Sequence, residues 1–349
     1  MYLAKRFFSR RWILAILSIL ALGSISSTLN VRTAFASGPQ TYVIQVGAST
    51  IGNIDLMQFA PGALKVHRGD TVTWLINGFH NVHLGAKAPA SFIIAPEVNG
   101  KPLPQINPQV AIPFGAKSGS SFTGQETGSG LSGPQVSPVF SLVIDVKVGT
   151  TFAFFCDVHP GMVGTISVVD DSEAIPSPAE VSVQAGGEFG ASAQAASVSE
   201  QKLEVDAGKL LNSVSGQATV QMGSDLGRAA ADQYFPATSV IKVGESVTWK
   251  FSNSAIEPHT VSFPAVRGQE VNLIPQSNKQ PILGIGPSLA PATNSGSTIN
   301  PGDQFTSGLL VPIPGQLPTY TLKFSKPGVY LYACNLHPGM NGTVVVLPN

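Results

Sequence analysis

Short stretches of the chain alternate between apolar and polar residues with a period of two. Val72 and Trp74 alternate with Thr71 and Thr73, the signature of a strand with one buried face. Phe152, Phe154 and Cys156 share one parity, as do Tyr330, Tyr332 and Cys334. Each cysteine therefore points the same way as two large aromatics, towards a core. The runs 164–169 and 342–347 predict a closing strand after each cysteine. Turn-rich segments separate the strands, so the pattern predicts an all-β chain of Greek-key β-sandwich or barrel type.

Two segments break that rhythm. Lys5, Arg6, Arg10 and Arg11 precede a short apolar run, Trp12 to Leu22, and Ala34-Phe35-Ala36 follows before Ser37. Residues 1–36 thus read as an export signal, with Ser9-Arg10-Arg11 resembling a twin-arginine signal. An uncleaved N-terminal anchor is the alternative. Residues 171–215 are rich in Ala, Ser, Gly and Glu and read as a linker, with a short helix expected around Glu200 to Leu211.

The chain is internally duplicated. Residues 154–165 (FFCDVHPGMVGT) recur as 332–343 (YACNLHPGMNGT), an offset of 178 (334 − 156). Residues 68–74 match 243–249 and 80–83 match 259–262, at offsets of 175 and 179. Ser129-Gly-Leu131 pairs with Ser307-Gly-Leu309 at 178. Such constant register predicts one domain copied in tandem, over residues 37–170 and 216–349.

Composition adds little except an exclusion. Charged residues are 11% of the chain, Lys+Arg and Asp+Glu are both 20, and Gly (36) and Pro (27) are abundant. The abundance suits short strands and many turns. No basic footprint for nucleic acid is visible.

The chemistry lies in the repeated turn. Each copy offers His…Cys-x2-His-x2-Met: His80, Cys156, His159 and Met162, then His259, Cys334, His337 and Met340. Two imidazoles, a thiolate and a weak thioether are the donors of a type 1 (blue) copper site, serving Cu(II) and Cu(I) alike. A thioether is a poor zinc ligand. Three donors on one hairpin loop converge on a point, and Pro160-Gly161 and Pro338-Gly339 shape that loop. Two cysteines in an exported chain would ordinarily suggest a disulfide, but these occupy equivalent positions in two copies.

These motifs resemble the cupredoxin family. The Cys-x2-His-x2-Met loop is most similar to that of amicyanins, and His80-Asn81 is like the plastocyanin pattern. The resemblance implies a Greek-key β-barrel with copper at one end in each domain. It makes His80 and His259 the buried ligands, and gives His159 and His337 ring edges that reach the surface as electron ports. The first His to Cys gaps, 76 (156 − 80) and 75 (334 − 259), exceed what small cupredoxins need. The extra stretches, about 86–138 and 265–315, are expected to be loops beside the copper end.

The remaining residues weigh against catalysis. Nitrite reductases and multicopper oxidases need at least three further histidines, one adjacent to the cysteine. Six histidines less four ligands leave His67 and His83, both in the first copy. His67 aligns with Lys242 and is expected at the surface; His83 aligns with Ser262 and is expected to be dispensable. Met57 and Met222 read as packing residues, Trp74 and Trp249 as core anchors. Asn81, and Thr260 less completely, are expected to fasten the ligand loops. The sequence thus predicts an electron-transfer protein rather than an enzyme. It would have two type 1 coppers and redox protein partners in the periplasm or outside the cell. A copper-storage or delivery protein and a copper enzyme are the alternatives.

Overall fold

In a computed structural model of the chain, the first copy is built on β1 (Thr41–Ser49), β2 (Ile54–Ala60), β3 (Ala63–His67), β4 (Thr71–Ile76), β5 (His83–Leu84), β6 (Val139–Ile144), β7 (Thr151–Phe155) and β8 (Val163–Val169). A helix, α1 (Pro178–Leu211), follows. The second copy repeats the plan with β9 (Gln217–Asp225), β10 (Ala229–Phe235), β11 (Thr238–Lys242), β12 (Ser246–Phe251), β13 (Ser262–Phe263), β14 (Thr319–Phe324), β15 (Gly328–Ala333) and β16 (Asn341–Leu347). The structure describes residues 38–349 except 50–52, 99, 133–135, 160, 212–216, 254–256, 266–270, 277–278, 291, 293 and 314. The export signal expected at 1–36, and Pro160, lie outside the described residues. Among those residues no helix is long and apolar enough to cross a membrane.

Each copy is a two-layer β-sandwich. In β4, Val72, Trp74 and Ile76 are buried while Thr71, Thr73 and Leu75 are half-buried, as period-two alternation requires. Trp74 packs 5.6 Å from the ring of Phe154 and 5.9 Å from Phe140. Trp249 lies 5.2 Å from Tyr332 and 6.0 Å from Tyr320. These edge-on and tilted aromatic groups fill both cores, so Trp74→Ala should cost about 3–5 kcal/mol of stability. Chemical denaturation followed by intrinsic fluorescence from Trp249 measures it; a loss below about 1 kcal/mol would refute the core role.

One layer of each copy joins the other end to end. Strands β6, β4, β1 and β2 continue directly into β10, β9, β12 and β14 within one ten-stranded sheet. At the junction β2 and β10 run antiparallel, with Ile54 opposite Ala231, Asp55 opposite Ala230, and Leu56 opposite Ala229. The second layers stay separate, one holding β5, β7, β8 and β3, the other β11, β16, β15 and β13.

Helix α1 covers this seam and is far longer than the short helix expected around 200–211. Ser177 and Glu180 cap it reciprocally, with the Ser177 N–H donating to Glu180 Oε2 at 2.8 Å and the Glu180 N–H to Ser177 Oγ at 3.3 Å. Pro178 takes the first helical position, where its missing N–H costs nothing. Phe189, Ala193 and Ala196 pack on Ile54, Leu56 and Ala229, and Leu203 and Ala207 on Ala231 and Phe235. Alanines on both surfaces let the helix lie close to the sheet, and that burial outweighs the helix-weakening glycines at 186, 187 and 190.

The insertions are not plain loops. Residues Ile93–Ile94 and Gln105–Ile106 of the first copy join Val271–Gln276 and Lys279–Ile285 of the second in a small four-stranded sheet. Gln105 is paired with Gly284 across the copies. Backbone groups that would otherwise need water or side-chain partners are satisfied by the other domain.

Candidate metal centre

The turn between β7 and β8 is closed by its own backbone. The Cys156 N–H donates to the Met162 carbonyl at 3.0 Å, and the Met162 N–H to the His159 carbonyl at 3.1 Å. The second copy repeats both bonds, Cys334 to Met340 at 2.9 Å and Met340 to His337 at 3.2 Å. Cys156 Sγ then lies 3.7 Å from His80 Nδ1 and 3.4 Å from His159 Nδ1. Cys334 Sγ lies 3.6 Å from His337 Nδ1, which is 3.0 Å from His259 Nδ1. In both copies the three donor atoms fall within 4.8 Å of one another. Both cysteines are free and buried, which removes the disulfide. Met162 and Met340 are buried in the same turns.

That spacing fits a metal ion. With metal–nitrogen bonds near 2.0 Å and metal–sulfur bonds near 2.3 Å, donors set about 110–120° apart put a sulfur and a nitrogen roughly 3.5–3.7 Å apart and two nitrogens roughly 3.3–3.5 Å apart. The sulfur–nitrogen distances of 3.4–3.7 Å match this spacing in both copies, and the two Nδ1 atoms of the second copy stand closer, at 3.0 Å. Histidines merely satisfied in a core would aim those nitrogens at separate oxygen partners.

A bulge makes room for the upstream histidine. The β1 register slips between Val46 and Ala48, and that of β9 between Met222 and Ser224. The residues inside the slips are Gly47, φ 65°, and Gly223, φ 57°. A Cβ on Gly47 would sit 2.0 Å from His80 Nε2, and one on Gly223 would sit 2.0 Å from His259 Nε2.

Asn81 and Thr260 fasten the loops as expected, though the two copies differ. The Asp157 N–H donates to Asn81 Oδ1 at 2.8 Å, and Asn81 Nδ2 donates to Asp157 Oδ2 at 2.7 Å. His83 sits between carboxylates, Nδ1 3.0 Å from Asp157 Oδ1 and Nε2 3.0 Å from Glu126 Oε1. It is buried and paired with both carboxylates, not at the surface. Burial opposes its charge, but the hydrogen bond and charge of Asp157, reinforced by Glu126, raise its pKa above the ordinary value. In the second copy the network is neutral: the Asn335 N–H donates to Thr260 Oγ1 at 2.7 Å, and Asn335 Nδ2 to Ser262 Oγ at 2.9 Å. The signal in the sequence was the paired exchange of His83 and Asp157 for Ser262 and Asn335.

Of the two downstream histidines, His337 keeps a ring edge at the surface and His159 does not, contrary to what the resemblance implied for it. His159 is 4% exposed. Its Nε2 stands 3.7 Å from Glu257 Oε2, and His337 Nε2 stands 4.0 Å from the same oxygen. Asp232 Oδ1 is 3.9 Å from His337 Nδ1, and Asp55 Oδ2 is 3.6 Å from His80 Nε2. The reason is the β2–β10 seam, which turns the two metal ends towards each other. His337 alone reaches a cleft of about 430 Å³, lined by Asn53, Asp55, Phe79, Asp232 and Pro338.

Burial and charge in this group pull in opposite directions. Burial would lower His337, but Asp232, Cys334 and Glu257 carry it up to about 10. His80 likewise rises to about 10 against burial, through Asp55 and Cys156. His159 falls well below the usual imidazole value by burial and by the nearby positive charge of His80 and His337. The Cys334 thiol, which burial would raise, is held well below its ordinary value by His337 and His259. A thiol ready to ionise is what metal binding requires. Glu257 is pushed up to about 8 by burial, with His337 working against the rise.

The family model described as copper binding proteins, plastocyanin/azurin family, matches residues 46–169 and again 218–347. Among solved structures, a Cu(I) form of an amicyanin variant matches with 22% identity over 38% of this chain and 85% of that chain, TM-score 0.22. An oxidized amicyanin variant matches with 22% identity over 39% and 89%, TM-score 0.21.

Proposed function

Since the chain belongs to the plastocyanin/azurin family of copper-binding proteins, we propose that each domain holds one type 1 copper and that the protein carries single electrons between redox partners. Bound copper would supply a one-electron couple between Cu(II) and Cu(I). The observation that carries this is the doubled donor cluster, His80, Cys156 and His159 with His259, Cys334 and His337, each set drawn from its own domain and buried except for the half-buried His337. Met162 and Met340 would serve as the weak axial donors.

The chain's own residues explain why such a site suits electron transfer. Backbone hydrogen bonds close each ligand turn, Gly47 and Gly223 let the upstream rings seat, and Asn81 and Thr260 pin the residue after each cysteine. Donors held this firmly change little between oxidation states, and burial keeps water out. The two histidines outside the clusters are committed elsewhere. His83 is held by Asp157 and Glu126, and His67 Nε2 lies 2.9 Å from the Glu173 carbonyl. This supports a carrier over a copper enzyme. The basic, apolar and Ala-Phe-Ala features of residues 1–36 support export, with partners in the periplasm or outside the cell.

Full-length protein loaded with Cu(II) should bind two coppers per chain and show an intense thiolate-to-metal absorption in the visible. Metal analysis and an absorption spectrum measure both. Colourless protein that yields its copper to weak chelators would instead support storage or delivery.

A further inference from the structure

Asp55, Asp232 and Glu257 meet at the domain seam and belong to neither metal set, and Glu257 faces a ring of each. Glu257 is 7% exposed, its Oε1 has no hydrogen-bond partner, and its Oε2 faces the Nε2 atoms of both His159 and His337. A carboxyl group is costly to bury unless donors meet its oxygens. The two ring N–H groups are such donors, a few tenths of an ångström beyond hydrogen-bond range, and a small rotation of a flexible glutamate closes the gap. When Nδ1 of each ring binds metal, Nε2 must carry the proton, so both rings donate to one oxygen.

The two copies are not equal here. His259 and His80 are equivalent, so the counterpart of Glu257 is Gly78, two residues before His80. Gly78 lines the cleft that reaches His337, Leu336 and Pro338. One copy thus places a carboxylate over the outer ring of its neighbour, and the other leaves an opening. The His337 side chain is 18% exposed, against 5% for His159.

The geometry points to a polarised pair of centres: an external redox protein meets the chain at the cleft on His337, and the His159–Glu257–His337 bridge carries the electron within the chain to the centre of the first domain. This rests on the two-copper reading above. In the internal step the second-domain centre is oxidised from Cu(I) to Cu(II) and the first-domain centre reduced from Cu(II) to Cu(I). No bond breaks and no proton moves. Glu257 acts as a positioning residue, holding both rings on one atom.

The test uses the copper-loaded full chain, with reduced cytochrome c as a protein-sized reductant and stopped-flow bleaching of the visible band as readout. Cys334→Ser removes the second centre. If the first is served through it, the remaining band should bleach slower than complete bleaching of the wild type by about tenfold or more. Glu257→Leu keeps the bulk but removes the oxygen that accepts from both rings, and should slow the final phase of bleaching comparably. In Cu(I) protein labelled with ¹⁵N-histidine, the Nε2–H signals of both His159 and His337 should shift in that variant. Glu257→Ala serves as a second variant should the leucine fold poorly. Wild-type protein without two coppers and a visible band would refute the copper reading itself. Intact wild-type bands with unchanged imidazole signals and an unchanged bleaching rate in Cys334→Ser would overturn the polarised pair and leave the copper reading standing.

Discussion

Copper-loaded Cys156→Ser is expected to bind one metal ion instead of two and to keep about half of the visible absorption, because two like donor sets contribute it. Cys334→Ser should do the same, and the double variant should be colourless. Every donor of the first cluster comes from the turn after β7 and the segment before β5, and every donor of the second from the corresponding places in its own domain. No donor crosses the seam. A serine hydroxyl stays protonated where a thiol ionises, so it supplies neither the charge nor the soft sulfur that the site needs. Metal analysis alongside the spectrum decides the matter. Loss of both ions from a single substitution would show that the clusters are not separate centres.

The second large effect is expected from Gly223→Ala and its counterpart Gly47→Ala. The added Cβ would stand 2.0 Å from a histidine Nε2, and the backbone there has φ 57° and 65° respectively. Unfavourable φ alone costs on the order of 1–3 kcal/mol. The clash adds to this, because His259 is buried beside Phe251, whose ring is 5.8 Å away, and has no room to retreat. The total should exceed about 3 kcal/mol, and the displaced imidazole should weaken copper binding by at least tenfold. Denaturation midpoints and chelator competition measure the two losses. Gly69→Ala is the control: its φ is 97° but a Cβ there meets nothing within 4 Å. Equal losses at Gly69 and Gly223 would mean that the ring is not what the glycine accommodates.

What was legible in the sequence was whatever obeys a local period or repeats. The alternation around Trp74, the shared parity of Phe154 and Cys156, and the doubled His-Cys-His-Met order each reflect contacts within a strand or a single turn. The seam was not legible. Ala229, Ala230 and Ala231 give no sign that they will pair with Ile54, Asp55 and Leu56, since edge pairing is set by shape rather than by side-chain pattern. Without the seam, His159 reads as a surface ligand and Glu257 as an ordinary loop acid. Helix α1 was undervalued for a related reason. Its alanines and glycines form no strong apolar stripe, and its stability comes from a surface that two domains build together.

The register at the seam carries a further meaning. Ala48 and Ser224 hold equivalent positions in their strands, facing Leu56 and Ala231, which makes 54–56 equivalent to 229–231. Ile54 faces Ala231, Asp55 faces Ala230 and Leu56 faces Ala229, so each residue meets the counterpart of its mirror position about the Asp55–Ala230 pair. That is the isologous contact of a C2 dimer, written into one polypeptide. A single repeat could satisfy the same strand edge by pairing with a second copy of itself, and would expose it to aggregation otherwise. Fusing the two protomers frees each to drift, and only then can one side of the axis carry Glu257 while the other keeps Gly78.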